Sequence, residues 1–244
     1  MRLVFLGTAG FHPNERRHTA GVFLPEVGLL FDAGTGLFRL RERLETDELD
    51  VLLSHAHLDH VVGLTYLLAP LGHGDLQAVR IHAMPETLAA VQQHLLDPAI
   101  FPVRPDFEYL PLADETAVAG GGRVTHRPLS HPGGSRGFRI DWPDRSLAYF
   151  TDTNAEPKHA KFLRGVDVLI HECYFPDGRE EWAAKTGHSC TSPVARLARD
   201  AGVGRLLLTH IDPEAIGDDP IGIDAARAIF LNCEVAEDLM EVEF

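Results

Sequence analysis

Cysteine is scarce in this 244-residue chain, with only Cys173, Cys190 and Cys233. Three thiols make no paired framework, which argues against a disulfide-stapled secreted fold and for a reducing, cytoplasmic setting. They read as small buried apolar groups. No apolar run reaches the roughly 20 residues of a membrane-spanning helix, so no membrane association is expected. The opening Met1-Arg2-Leu3-Val4-Phe5-Leu6-Gly7 is too short in apolar length for a signal peptide and reads as a first strand. Cations are in deficit: 22 Lys plus Arg stand against 36 Asp plus Glu, a formal charge of −14. That balance disfavours broad binding to nucleic acid, which needs a basic footprint. It leaves a phosphate substrate open, because bound dications make a site locally positive. Long linkers, low-complexity tracts and solenoid repeats are lacking too, so residues 1–244 read as one domain with ample length for a core.

Apolar and turn patterning predicts strands over residues 3–6, 22–24, 29–31, 51–53, 79–82, 123–129, 138–141, 146–150, 166–170 and 206–208. Helices are expected over 37–44, 61–68, 85–96 with Pro85 at the first turn, and 192–201. The last has Ser192 as N-cap, Pro193 at N1 and Gly202 beyond its end. Residues 97–122 hold Pro98, Pro102, Pro105, Pro111 and three consecutive Gly at 120–122, and read as an irregular flap. Strands followed by alternating strands and helices, in two halves, place the chain in the α/β (α+β) class. They suggest two sheets face to face with helices outside. Periodicity alone does not separate this from other α/β layouts.

Histidine, in contrast, is abundant at 14 residues. The stretch His55-Ala56-His57-Leu58-Asp59-His60 follows directly on the apolar run Val51-Leu52-Leu53. It lies where a core strand gives way to a loop, and loops on a rigid scaffold are where sites are built. Imidazole and carboxylate donors suit zinc, and also iron or manganese, and four of them in one short loop can serve two ions. Three more apolar strands run into a potential ligand: Leu129-Ser130 into His131, Phe150-Thr151 into Asp152, Leu208-Thr209 into His210. If these strands are neighbours in a sheet, their ends form one rim. Alone, His131 or His210 reads as an ordinary hydrogen-bonded histidine; the repeated coincidence points to a shared site. Asp32, at the end of its own strand, reads either as a partner fixing a ligand imidazole or as a helix N-cap before Gly34.

These residues resemble a known family. The His55-x-His57-x-Asp59-His60 motif resembles the signature of metallo-β-lactamase-fold hydrolases, and the likeness extends to about Pro213. It implies a four-layer αββα sandwich, two mixed sheets with outer helices, and two divalent metal ions, zinc by default with Mn2+ or Fe as alternatives. It implies that His55, His57 and His131 hold one ion, that Asp59, His60 and His210 hold the other, and that Asp152 bridges them. A bridging water or hydroxide is then the nucleophile, and Asp59 counts among the catalytic residues.

Within that superfamily, Leu129-Ser130-His131-Pro132-Gly133-Gly134-Ser135-Arg136-Gly137-Phe138-Arg139 resembles the ribonuclease Z-like phosphodiesterase branch. So do Gly7-Thr8 with Arg17-His18-Thr19, the stretch Val168-Leu169-Ile170-His171-Glu172-Cys173-Tyr174-Phe175, and Gly187-His188-Ser189-Cys190-Thr191, where Cys190 replaces the usual Thr. The implied roles are His188 as general acid and Glu172 as the group that orients it; His188 alone would read as a loop histidine. Transfer-RNA-processing members carry a long basic arm, and residues 97–122 offer one basic residue, Arg104, against five acidic ones. The resulting expectation is a phosphodiesterase for a small or cyclic phosphodiester, with extended nucleic acid an unlikely partner and a homodimer a family-level possibility. Arg16, Arg17, Arg136 and Arg139 are candidates to bind phosphate. The alternatives are a tRNA 3′-processing endoribonuclease, a lactonase or thioesterase on the same site, and a non-catalytic metal-binding protein of the same fold.

Overall fold

The structure, a computed structural model, describes residues 1–244. The chain divides into two compact units, residues 1–120 with 238–243, and residues 121–237 with Phe244.

Unit 1 is built on a mixed sheet. Its strands are β1 (Arg2–Gly7), β2 (Gly21–Leu24), β3 (Leu29–Phe31), β4 (Glu48–Leu52), β5 (Ala78–Ala83), β6 (Glu108–Pro111) and β14 (Glu241–Glu243), in the order β14-β1-β2-β3-β4-β5-β6. A further short strand, β7 (Glu115–Val118), closes its sequence. β14 to β3 pair antiparallel, and β3 to β6 pair parallel. Leu29-Leu30-Phe31 and Val51-Leu52 are fully buried, as expected of parallel strands covered on both faces. Leu6, Phe23, Leu30, Val51, Leu64 and Ile81 belong to one core cluster. The helices are short: α1 (Leu58–Val61), α2 (Leu68–His73) and α3 (Pro85–Ala90). Asp238 ties the C-terminal segment down by accepting from the Thr8 hydroxyl and the His18 amide, each at 2.7 Å.

In unit 2 the strands β8 (Gly122–Leu129), β9 (Ser135–Asp141), β10 (Ser146–Phe150), β11 (Val168–Glu172), β12 (Arg205–Thr209) and β13 (Cys233–Val235) follow the order β13-β12-β11-β10-β9-β8. β8, β9 and β10 pair antiparallel, and β10 to β13 pair parallel. β8, β10, β11 and β12 therefore all point the same way. The helices are α4 (Glu180–Thr186), α5 (Thr191–Ala201) and α6 (Ile223–Ile229). Phe150, Leu169, Val194, Leu206 and Leu208 lie in a second core cluster.

The α/β class is as expected, with two mixed sheets and helices. Several elements differ from their sequence-based outlines. Residues 37–44 are not one helix but two 3-10 turns, Thr35–Arg39 and Arg41–Arg43. A Cβ on Gly36 would lie 2.3 Å from the Leu6 carbonyl oxygen, and this close approach of backbones suits the tight winding that 3-10 turns use in short pieces. The helix expected over 61–68 is α1, a 3-10 segment and α2 in succession. The helix over 85–96 starts at Pro85 as expected, but its second half, Val91–Leu95, is a π-helical turn. Cys190, not Ser192, is the N-cap of α5; the Ser192 hydroxyl donates to Asp177 instead. The flap contains β6 and β7. No helix is long and apolar enough to cross a membrane.

Candidate active site

In unit 1 the end of β4 feeds the His55–His60 stretch, and the end of β3 supplies the carboxylate that orients it. Asp32 is fully buried. It accepts from the Ser54 amide at 2.7 Å, the Ser54 hydroxyl at 2.8 Å and His60 Nδ1 at 2.8 Å. The Ser54 hydroxyl spends its proton on Asp32, so His55 Nδ1, 2.9 Å away, is the donor in their contact. One carboxylate thus fixes the tautomer of two imidazoles and makes Nε2 of each the nitrogen able to coordinate a metal. Of the two readings of Asp32, the orienting one is what the structure shows. The turn after it is tight: a Cβ on Gly34 would sit 2.2 Å from the Asp59 carbonyl oxygen. The rings of His57 and His60 each lie 4.4 Å from that of His55, centroid to centroid. His60 Nε2 stands 3.2 Å from Asp59 Oδ2, and the Phe11 amide donates to that same oxygen at 2.9 Å.

In unit 2 the candidate residues come from the carboxyl ends of four strands. His131 follows β8, Asp152 follows β10, Glu172 ends β11 and His210 follows β12. The ladder registers Phe150 with His171 and Glu172 with Thr209, which levels these ends. The four apolar strands singled out by their endings are not all neighbours: β4 belongs to the first sheet, and β8, β10 and β12 to the second. His210 Nε2 lies 3.1 Å from Asp152 Oδ1. Donor atoms of His131, Asp152 and His188 lie within 4.8 Å of one another. His131 Nδ1 donates to the Gly187 carbonyl at 3.1 Å, which again makes Nε2 the nitrogen able to coordinate a metal. Gly187 has φ +77 and caps α4; a Cβ there would meet Pro132 Cδ at 2.7 Å.

His188 and Glu172 are in direct contact, Nδ1 to Oε1 at 2.8 Å. Glu172 is fully buried. It also accepts from the amides of Thr153, Ser189 and Tyr174. The His188 ring stacks on Tyr174 at 4.6 Å and packs edge-on to His131 at 5.1 Å. Beneath the site, burial pushes the His171 imidazole below its ordinary pKa, against the opposing pull of its bond to the Glu172 carbonyl.

Asp32, Asp152 and His210 share a backbone feature: each follows a strand with φ near +50, at 53, 48 and 57. Left-handed residues that are not glycine are uncommon, and Asp and His are among those that adopt the conformation most readily. The bend at each strand end re-aims the side chain, and strain of this kind gathers at functional sites.

The donor sets fit divalent cations. Two ligands each about 2.0–2.2 Å from one tetrahedral zinc stand roughly 3.3 Å apart, close to the 3.2 Å of Asp59 with His60 and the 3.1 Å of Asp152 with His210. Sequence reading missed Ser54, Tyr174 and the Gly187 carbonyl. Ser54 had a local signal, its place before His55, and Tyr174 lies in the stretch 168–175 that carries the family resemblance. Of the candidate phosphate-binding arginines, Arg17 and Arg139 are held by neighbouring side chains. Arg17 is buried and donates to the Thr8 hydroxyl at 2.6 Å, and Arg139 is clamped by Asp141 at 2.7 Å.

A family model described as "Beta-lactamase superfamily domain" matches residues 28–211. Ribonuclease Z of Methanosarcina acetivorans is 28% identical over 307 aligned residues, covering 100% of this chain and 98% of that protein. The metallo-beta-lactamase fold protein YhfI from Bacillus subtilis has a TM-score of 0.82 at 23% identity, covering 99% of this chain and 98% of that one. Human tRNase Z, short form, has a TM-score of 0.77 at 22% identity, covering 100% and 99%. These two structures show a shared fold. The names of the relatives pull against the expectation, drawn from net charge, that extended nucleic acid is an unlikely partner.

Proposed function

The chain belongs to the beta-lactamase superfamily, and from that premise we propose that this metal-dependent hydrolase cleaves phosphodiesters with the aid of two divalent ions, zinc in the first instance. The ligands assigned are His55, His57, Asp59 and His60 from unit 1 and His131, Asp152 and His210 from unit 2. The assignment rests on the family motif, and the donor geometry within each unit supports its own half. When bound, the ions would polarise a water nucleophile and offset charge on the phosphoryl oxygens.

The protein's own contribution is proton delivery. His188 donates Nδ1–H to Glu172, so its Nε2 is the atom that carries a proton to the leaving alkoxide. Glu172 stabilises the imidazolium and is itself held by three backbone amides. Tyr174 limits rotation of the ring. A positioned acid of this kind contributes about 10²–10⁴-fold. The His188–Glu172 contact is the observation that carries the phosphodiesterase reading, because an alkoxide leaving group needs that proton. Buried thiols support the cytoplasmic setting.

A small or cyclic diester is the first substrate class. A second reading, cleavage at the 3′ side of an RNA, is favoured by the relatives named ribonuclease Z. Zinc-loaded protein should turn over bis(p-nitrophenyl) phosphate and at least one member of a panel of cyclic nucleotides and 3′-extended tRNA. A loaded preparation inert on all of these, yet active on a lactone or thioester, overturns the proposal.

A further inference from the structure

We propose that unit 2 carries a separate groove for the phosphate backbone of RNA, along one face of the β8–β9 pair. Arg123, Thr125 and Arg127 alternate along β8 and so share a face. Across the ladder Arg123 stands opposite Asp141, and Thr125 opposite Arg139. Lys158, Lys161 and Phe162 line the groove as well, which measures 630 Å³ and opens to solvent. Five cationic side chains therefore face a single lining carboxylate, in a chain whose formal charge is −14. Two of the chain's three lysines lie here.

The carboxylates nearby leave a surplus of positive charge. Asp141 pairs with Arg139, whose guanidinium also donates to the carbonyls of Phe162 and Arg164, so this cation is a fixed part of the floor. Glu156 pairs with Lys158 at 2.9 Å. The Arg127 guanidinium lies 5.1 Å over the Phe162 ring, which leaves a planar cation on which a base can stack. Arg123 and Arg127 are four residues apart, about 13 Å along an extended strand. That spacing serves successive phosphates of a polymer better than a single anion. Phosphate contacts of this sort give affinity without sequence preference and fall steeply with salt. The groove is independent of the assigned reaction, since none of its residues is a ligand or the acid.

The test is fluorescence anisotropy of a labelled short single-stranded RNA at several salt concentrations. Arg127→Glu and Lys161→Glu should each raise Kd about tenfold or more, and Arg127→Gln and Lys161→Gln should flatten the log–log salt slope by about one. Arg199→Glu, on exposed α5 surface, should change neither. All variants should keep wild-type turnover of bis(p-nitrophenyl) phosphate, which also shows that they fold. The proposal falls if the groove variants bind RNA as wild type does, or if wild type prefers polyglutamate or anionic vesicles to RNA. If RNA binding follows the variants while no diester is cleaved, the groove stands and the phosphodiesterase reading falls.

Discussion

Unit 1 draws its four candidate ligands from six consecutive residues, whereas unit 2 draws its own from the ends of strands far apart in sequence. Each relies on one fully buried carboxylate to hold imidazoles in place, Asp32 in the first and Glu172 in the second. The partners differ. Asp32 fixes two candidate metal ligands through His60 and Ser54. Glu172 fixes His188, the residue assigned to proton transfer. On the proposed assignment, similar local physics would serve retention of metal in one unit and movement of a proton in the other.

The sharpest break of this comparison is His188→Ala. Its expected outcome is a loss of about 10²–10⁴-fold in kcat, with zinc content by atomic absorption unchanged. Loss of zinc instead would make His188 a ligand and erase the distinction between the two carboxylates. Glu172→Gln should act in the same direction as His188→Ala and less strongly, with metal kept. Asp32→Asn should do the reverse: metal affinity falls about 10–100-fold, while kcat at saturating zinc changes little. Competition with a chromogenic chelator measures both.

Asp50 supplies a carboxylate in unit 1 with no assigned role at the site. Burial alone would raise its pKa, but hydrogen bonds from His82 at 2.7 Å and from Arg80 at 2.9 Å outweigh that and hold the carboxyl below its ordinary value. A depressed carboxyl stabilises the fold above its unfolded pKa, and that stability is lost as pH falls through the folded value. Asp50→Asn should therefore cost on the order of 1–3 kcal/mol near pH 7, and less at acid pH. Thermal melts at both pH values check this. Turnover at saturating zinc should be unchanged, which separates it from the Asp32 and Glu172 variants. The smallest effect concerns the thiols. All three are buried, and burial pushes Cys233 up to about 12. Iodoacetamide at pH 7 should label none of them in the folded protein and all of them in urea, as read by mass spectrometry.

The unit 1 cluster was legible because its donors are adjacent in the chain and follow a continuous apolar strand. The unit 2 donors were legible only through the repetition of one ending on several strands, which in the structure come from both sheets. Burial was easier to read than helix type. The apolar strands lie close to where patterning puts them, but the 3-10 and π turns depend on close backbone approaches such as Gly36 with Leu6. The seven-residue helices α4 and α6 are too short to show a reliable period. Net charge is a different kind of signal: it averages over the surface and is silent about the groove where β8 alternation collects arginine on one face.

The sequence by itself determined the donor chemistry, the strand endings and the family, because ligand type and apolar runs are local properties. Tertiary structure alone decided that Asp32 reaches His60, that Glu172 reaches His188, and that Asp32, Asp152 and His210 bend out of their strands in left-handed conformations. Those contacts depend on strand register and on burial that leaves a carboxylate no partner but the donors folded against it, and neither is written in the spacing of residues along the chain.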